Sequence, residues 1–369
     1  MACTTLNPHS TVQDDEEASR AKPLIQISKL DFELFQGKLI SKEPFWVALQ
    51  PFLLSRGYKL RPRYQPDWIP SWRNHDGPIS HIYTFEDALP ITRGNLLDAV
   101  RVRDGAKVVF KCVDTSTEEI PIGRYLSSPS LSSNPRNRSV PILDVIPLPN
   151  DDSQALIVMP LLLHFTELPF RRVGEVAEAI GQYLQGLKFM HEHNIAHRDA
   201  CYFNLMMDGS KVIPKGFHFF RPYTHDGVTF KLDWRERGSV KPNKYYFIDF
   251  GLSSRYPAHI QGIRDTGILG QDRSVPEASI TVPYDPFKVD VYQLGNVILE
   301  LVKEYDGLEP FLKLGQAMTR RSPDERPSPS EALKQLKQLS WWELRRRVWK
   351  RDTDLLIRFL VKFCGANYY

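Results

Sequence analysis

The spacing of apolar residues changes part-way along this chain. From Ala99 the pattern alternates (Ala-Val-Arg-Val-Arg), breaks at Asp104-Gly105 and resumes as Lys107-Val-Val-Phe-Lys-Cys-Val. That predicts a hairpin ending in a buried strand. Val140–Ile146 and Ala155–Leu163 are further predicted strands, separated by the turn-rich Pro147-Leu-Pro-Asn-Asp-Asp, and a Ser/Pro/Asn loop is expected over 126–138. After Pro169 the period becomes helical: Val173, Val176, Ala177, Ile180, Leu184, Leu187 and Met190 share one face. Helical patterns follow over Val289–Lys303, Pro329–Leu339 and Trp341–Phe363. A strand-rich region followed by a helix-rich one, joined near Pro160–Leu163, predicts an α+β chain of two lobes with a cleft between them. No internal repeat is present.

Composition narrows the class without naming a partner. The 369 residues are 42% hydrophobic and 25% charged, with a net charge of +4, ordinary for a water-soluble globular chain. This balance gives no reason to expect nucleic-acid or membrane binding. Cys3, Cys112, Cys201 and Cys364 lack metal-type or redox-type spacing, which fits a reducing compartment. Residues 1–22 read as a disordered tail without the apolar stretch of a signal peptide, and Ala155–Phe165 is too short to span a bilayer. A cytoplasmic or nuclear location is expected, neither secreted nor transmembrane. Residues 23–84, rich in aromatics, Pro and Arg, read as an extension packed on the main domain, with a docking surface as the alternative.

Two short segments carry the chemistry: His197-Arg198-Asp199 with Asn204 behind it, and Asp249-Phe250-Gly251. They supply a carboxylate for a substrate hydroxyl, and a carboxylate and an amide for a magnesium ion. His191, His193 and His197 lack the His-Glu-x-x-His spacing of a zinc site and read as residues of a helix end. With these motifs, roughly residues 85–340 resemble a eukaryotic protein kinase domain. The resemblance is nearest to the kinase-like proteins of mushroom-forming fungi, through Leu60-Arg-Pro-Arg-Tyr-Gln-Pro-Asp-Trp, Asp98-Ala-Val-Arg-Val-Arg-Asp-Gly and Tyr246-Phe-Ile-Asp-Phe-Gly-Leu-Ser.

The resemblance implies a β-rich N-lobe over 85–162, a mainly helical C-lobe over 163–369, and ATP and Mg2+ as cofactors. It implies Lys111 as the phosphate-aligning lysine, paired with Glu119 (Glu118 being the rival), and Asp199 as the base. Asn204 and Asp249 are the implied metal ligands, and Met159, Pro160 and Leu162 the adenine-binding hinge. His197, Arg198, Gly251, Glu277, Asp290 and Arg326 are implied supports, with Glu277 paired to Arg326 and Asp290 holding the catalytic loop. Arg198 would grip a phosphorylated Thr266 or Ser274.

Three departures bear on activity. Only Gly94 precedes Lys111 where three glycines would roof the phosphates. Cys201 stands two residues after Asp199, where Ser/Thr kinases carry a lysine. An insertion over 208–244, richer in Lys and Arg than in Asp and Glu, reads as a surface hairpin or lobe, or as a basic docking site for an acidic partner. Over Trp341–Phe363, the basic stretch Arg345–Arg351 belongs to a helix expected to pack on the core. The function expected is phosphoryl transfer to Ser or Thr of an unidentified protein. A pseudokinase acting as a binding or scaffold protein is the alternative, and a small-molecule kinase comes third.

Overall fold

The computed structural model describes residues 33–40, 42–76, 82–91, 93–260, 262–267 and 270–351. The tail over 1–22 lies outside them. The chain is a mixed α+β protein with two main hydrophobic cores. The first belongs to a five-stranded antiparallel sheet of β1 (Tyr58–Leu60), β2 (Leu96–Arg101), β3 (Lys107–Asp114), β4 (Asp144–Leu148) and β5 (Asp151–Pro160), in the order β1-β2-β3-β5-β4. Helix α1 (Glu43–Ser55) covers it with Trp46 and Leu53, and the Trp46 ring stacks on Phe110 at 6.2 Å.

The predicted hairpin at Asp104-Gly105 is present, with Gly105 at a φ of 70° in the turn. Elsewhere the strand bounds move. The strand expected from Val140 begins at Asp144, and the turn before β5 shrinks to Pro149-Asn150, because Asp151–Gln154 extend the pairing with β3 and β4. The segment expected as a separate extension supplies the edge strand, since Leu60 pairs with Ala99. Residues 61–95 therefore form the β1–β2 connection. A buried ion pair anchors it: Arg63 grips the Glu43 carboxylate at 2.7 and 2.8 Å, and the Tyr64 hydroxyl donates to the same group.

The second core surrounds α3 (Val173–Glu192), packed against α4 (Pro286–Glu304) and α6 (Pro329–Leu336), with α5 (Leu312–Met318) lying on α4. Asp285 caps α4 by accepting from the amides of Phe287 and Lys288, and Ser328 with Glu331 forms a capping box on α6. A small sheet of β6 (Leu163–His164), β7 (Leu205–Met207) and β8 (Tyr245–Phe247) lies beside α3. No helix among the described residues is long and apolar enough to cross a membrane.

Two expected elements differ. Of the helix over Trp341–Phe363, the described part is helical only at Trp341–Arg345; Trp349–Lys350 then pairs as a strand with Tyr305–Asp306, and residues beyond 351 lie outside the description. The loop over 126–138 holds a one-turn helix at Pro129–Ser132. Residues 208–244 form neither a hairpin nor a self-contained lobe. Val212, Ile213 and Phe217 are buried in the second core, and Arg237 donates to the carbonyls of Phe165, Leu168 and Pro169.

Candidate active site

Strand β3 and α2 (Glu119–Leu126) bring the first two site residues together. Lys111 faces Ile157 of β5 and Leu96 of β2, so its side chain leaves the middle of the sheet. Its Nζ donates to Glu119 Oε1 at 2.5 Å and to Asp249 Oδ1 at 2.8 Å. Glu119, rather than Glu118, is thus the partner; it opens α2, and Pro121 sits in the first turn, where its missing N–H costs no helical bond. Burial pulls the Lys111 ammonium down, but the two carboxylates outweigh it and hold it above its ordinary value. Asp249 is held below the carboxylate range, because Lys111 outweighs its own burial. Burial lifts Glu119, which Lys111 only partly offsets. The three groups form a charged Lys111 held between two carboxyl groups.

Asp249 has a φ of 66° and Arg198 a φ of 64°, a left-handed conformation that non-glycine residues adopt at a cost. The bend at Asp249 is held on both sides, by the Lys111 bond and by the Gly251 amide donating to Asp249 Oδ1 at 3.3 Å. A Cβ at Gly251 would lie 3.2 Å from both Asp249 Oδ1 and Glu119 Oε2. Both bonds use Oδ1, so Oδ2 remains the carboxylate oxygen for a cation.

The loop after Ile195–Ala196 holds Asp199, which is buried at 4% exposure. Asp290, fully buried on α4, anchors this loop: it accepts from the His197 and Arg198 amides at 2.9 and 2.6 Å, and pairs with His191 Nε2 at 2.8 Å. The His197 ring meets the Asp199 amide through Nδ1 and the Ile248 carbonyl through Nε2, a pattern that assigns the neutral Nε2–H tautomer. Asn204 donates Nδ2 to the Asp199 carbonyl at 2.9 Å and to its Oδ2 at 2.8 Å, which turns its own Oδ1 away as a hard oxygen ligand. Asn204 Oδ1 and Asp249 Oδ2 are hard oxygen donors, the type that magnesium takes in small number beside phosphate and water. Among the described residues no group of three or more His, Cys, Asp or Glu could hold a metal.

Glu277 and Arg326 form the expected pair, with two guanidinium–carboxylate bonds; Arg326 is 2% exposed and also donates to the carbonyls of Arg320 and Lys288. Of the residues expected as a hinge, Met159 pairs with Val109 and Pro160 with Val108. The Leu161 amide donates to the Lys107 carbonyl at 3.2 Å, one residue past the end of β5.

Several functional contacts escaped sequence reasoning. Gln271 donates its backbone N–H to Asp199 Oδ1 at 2.8 Å and its side-chain amide to Oδ2 at 3.1 Å. Gln293 accepts from the Ala200 amide at 2.8 Å and donates to the Arg198 carbonyl at 3.2 Å. Arg198, expected to hold a phosphate, already has a carboxylate: Asp265 Oδ2 lies 3.0 Å away, with Ser254 Oγ, the Thr266 carbonyl and the Tyr284 hydroxyl as further partners. Ser274 instead donates to Asp272 and accepts from Asn296. No spacing rule singles out Gln271 or Asp265. Cys201 is buried, and burial together with Asp199 pushes its thiol up to about 12, so it is a neutral thiol at pH 7.

No family model matches the chain, and no match was found among curated proteins.

Proposed function

We propose that this chain has the two-lobed protein kinase fold and transfers the γ-phosphoryl group of ATP to a Ser or Thr hydroxyl of a protein. The observation that carries the reading is Lys111, held between Glu119 and Asp249 at 2.5 and 2.8 Å. A cation so placed aligns phosphates, and a sheet ordered β1-β2-β3-β5-β4 over a helical region agrees with that fold. Magnesium held by Asn204 and Asp249 would neutralise charge on the β- and γ-phosphates. Asp199 orients the substrate hydroxyl and accepts its proton, while Asp290 and Gln293 fix the loop that carries it.

A second reading, a nucleotide-binding scaffold without transfer, is favoured by one arrangement. The Asp199 carboxylate already accepts from Asn204 and twice from Gln271, and Cys201 brings no charge to the loop. The deciding experiment pairs ATP–magnesium binding, read by thermal shift, with radiolabel transfer from [γ-32P]ATP to a peptide library. Kinase function requires transfer that falls by about a hundredfold or more in Asp199→Asn, the usual size of general-base effects. Binding that Lys111→Met abolishes, with no transfer dependent on Asp199, selects the scaffold.

A further inference from the structure

The chain that follows Asp249 folds back on the loop carrying Asp199 and holds two consecutive residues of it. The first hold is on Arg198. This residue is 5% exposed, and its guanidinium has one carboxylate in contact among the described residues, Asp265 Oδ2 at 3.0 Å. A buried cation without a counter-charge is costly, so the pair fixes where residue 265 sits. Asp265 is held in turn on both oxygens and through its backbone. The Tyr256 hydroxyl donates to Oδ2 at 2.6 Å and the Thr266 amide to Oδ1 at 2.7 Å, while two backbone bonds of 2.9 Å join residue 265 to Tyr284.

The second hold is on Asp199. Gly270 is buried against the loop: a Cβ there would lie 2.5 Å from Asp199 Oδ1 and 2.9 Å from the Arg198 carbonyl oxygen, so glycine is what lets the chain come this close. Gln271 then donates its backbone and side-chain N–H groups to the Asp199 carboxylate. Gln271 is itself exposed, whereas Asp199 beneath it is 4% exposed. Residues 270 and 271 thus cover this carboxylate. A carboxylate offers about four acceptor positions, and with Asn204 also donating to Oδ2, three are filled from within the chain. Asp272 anchors the next residue, accepting from the Asn296 amide and the Ser274 hydroxyl, each at 2.7 Å.

We propose that these contacts form a built-in latch over Asp199, with Asp265 on Arg198 as its bolt. Arg198 and Asp199 are consecutive, so Asp265 and Gln271 grip one short stretch of loop, and freeing the first loosens the second. The bolt is a carboxylate of the chain itself, so the covered state forms without any modification. A substrate reaches the Asp199 carboxylate only once Gln271 has lifted from it. The effect of the latch on phosphoryl transfer rests on the kinase reading; the cover over Asp199 does not.

Two measurements on the full chain test the latch without assuming an activity: hydrogen exchange over 270–275, and carboxyl labelling of Asp199 with a carbodiimide and glycine ethyl ester, located by mass spectrometry. Asp265→Asn leaves Arg198 without its counter-charge and raises both by about tenfold or more, as loss of a charge-assisted contact predicts. Tyr256→Phe keeps the ring but removes the hydroxyl on Asp265, and moves both the same way by about threefold or more. Thermal melts establish that the variants are folded, and Tyr256→Phe keeps the test valid if Asp265→Asn does not fold. The latch is overturned if the folded variants keep wild-type exchange and labelling, or if exchange rises while Asp199 labelling stays the same. On the kinase reading Asp265→Asn also raises transfer, and a fall in transfer as Asp199 labelling rises overturns the latch as a restraint. Absence of transfer in every variant, with labelling still raised by Asp265→Asn, counts against the kinase reading and supports the latch.

Discussion

At the scale of single residues, the chemistry turns on what occupies the Asp199 carboxylate. Gln271 donates to both of its oxygens, the atoms that would receive a substrate hydroxyl on the kinase reading. Gln271→Ala removes the side-chain bond and keeps the backbone one, so Oδ2 retains only the Asn204 donor and gains room for a second. On the kinase reading kcat rises by about tenfold, the weight of one hydrogen bond to a charged group. A fall in kcat would mean that Gln271 orients the base instead of blocking it. A second residue-scale expectation concerns Cys201. With its thiol raised to about 12, the thiolate is scarce at pH 8.5, and alkylation resolved by mass spectrometry should be slower at Cys201 than at a free thiol in the unfolded chain. Rapid labelling of Cys201 in the native protein would contradict the burial described. The sequence named Lys111, Asp199, Asn204 and Asp249 through short motifs, and Glu119, against Glu118, as the glutamate expected on the helix after the lysine strand. It could not name Gln271, Gln293 or Asp265, whose roles come from how the segment after Asp249 folds back on the loop.

At the scale of elements, local signals were legible where they did not compete with distant pairing. Asp104-Gly105 set the hairpin, and apolar spacing marked α3, α4 and α6, although α4 begins at Pro286 rather than the expected Val289. The helix expected from Trp341 begins with a genuine capping box, Ser340 with Glu343. It stops at Arg346, with a ψ of 138°, where Arg346 donates to the Gly307 carbonyl and pairs with Glu309 and Arg347 bridges Arg172. Tertiary partners thus override the helical period. The edge strand β1 was invisible because three residues carry too little alternation. The connection that follows it is anchored by the Glu43–Arg63 pair, with both side chains fully buried. Arg63→Ala strands the carboxylate in the interior and should lower unfolding stability by about 3–5 kcal/mol, whereas replacing both residues with Leu or Met should cost far less. Urea denaturation of the two variants distinguishes them, and equal losses would mean that packing, not charge pairing, holds the connection.

At the scale of the whole molecule, residues 216–230 act as a strap between the two cores. The Lys107 ammonium at the start of β3 donates to the Phe217 carbonyl at 2.8 Å, and the Arg61 guanidinium lies 4.4 Å over the Phe220 ring. Arg221 donates to the Tyr83 carbonyl at 3.1 Å, and His218 meets Glu86 at 3.2 Å. Several cations that suggested a docking surface are engaged within the chain: Arg221 and Arg237 through these contacts, and Lys215 with Asp233. The strap carries a pH dependence whose sign follows from Glu86. Burial raises that carboxyl, but His218 and Arg61 outweigh it and hold it below its ordinary value of 4.5. A carboxyl lowered by folding stabilises the native state above its unfolded pKa, and that stabilisation is lost as pH falls through the lower folded value. Hydrogen exchange over 216–221 and 83–86 should therefore stay slow near neutrality and accelerate as the pH drops below about 4, after correction for intrinsic rates. Glu86→Gln should exchange faster there already at pH 7 and lose most of the further acid response. If the variant keeps the wild-type protection and pH profile, the strap is held by Lys107, Arg61 and Arg221, and Glu86 is not its acid-sensitive joint.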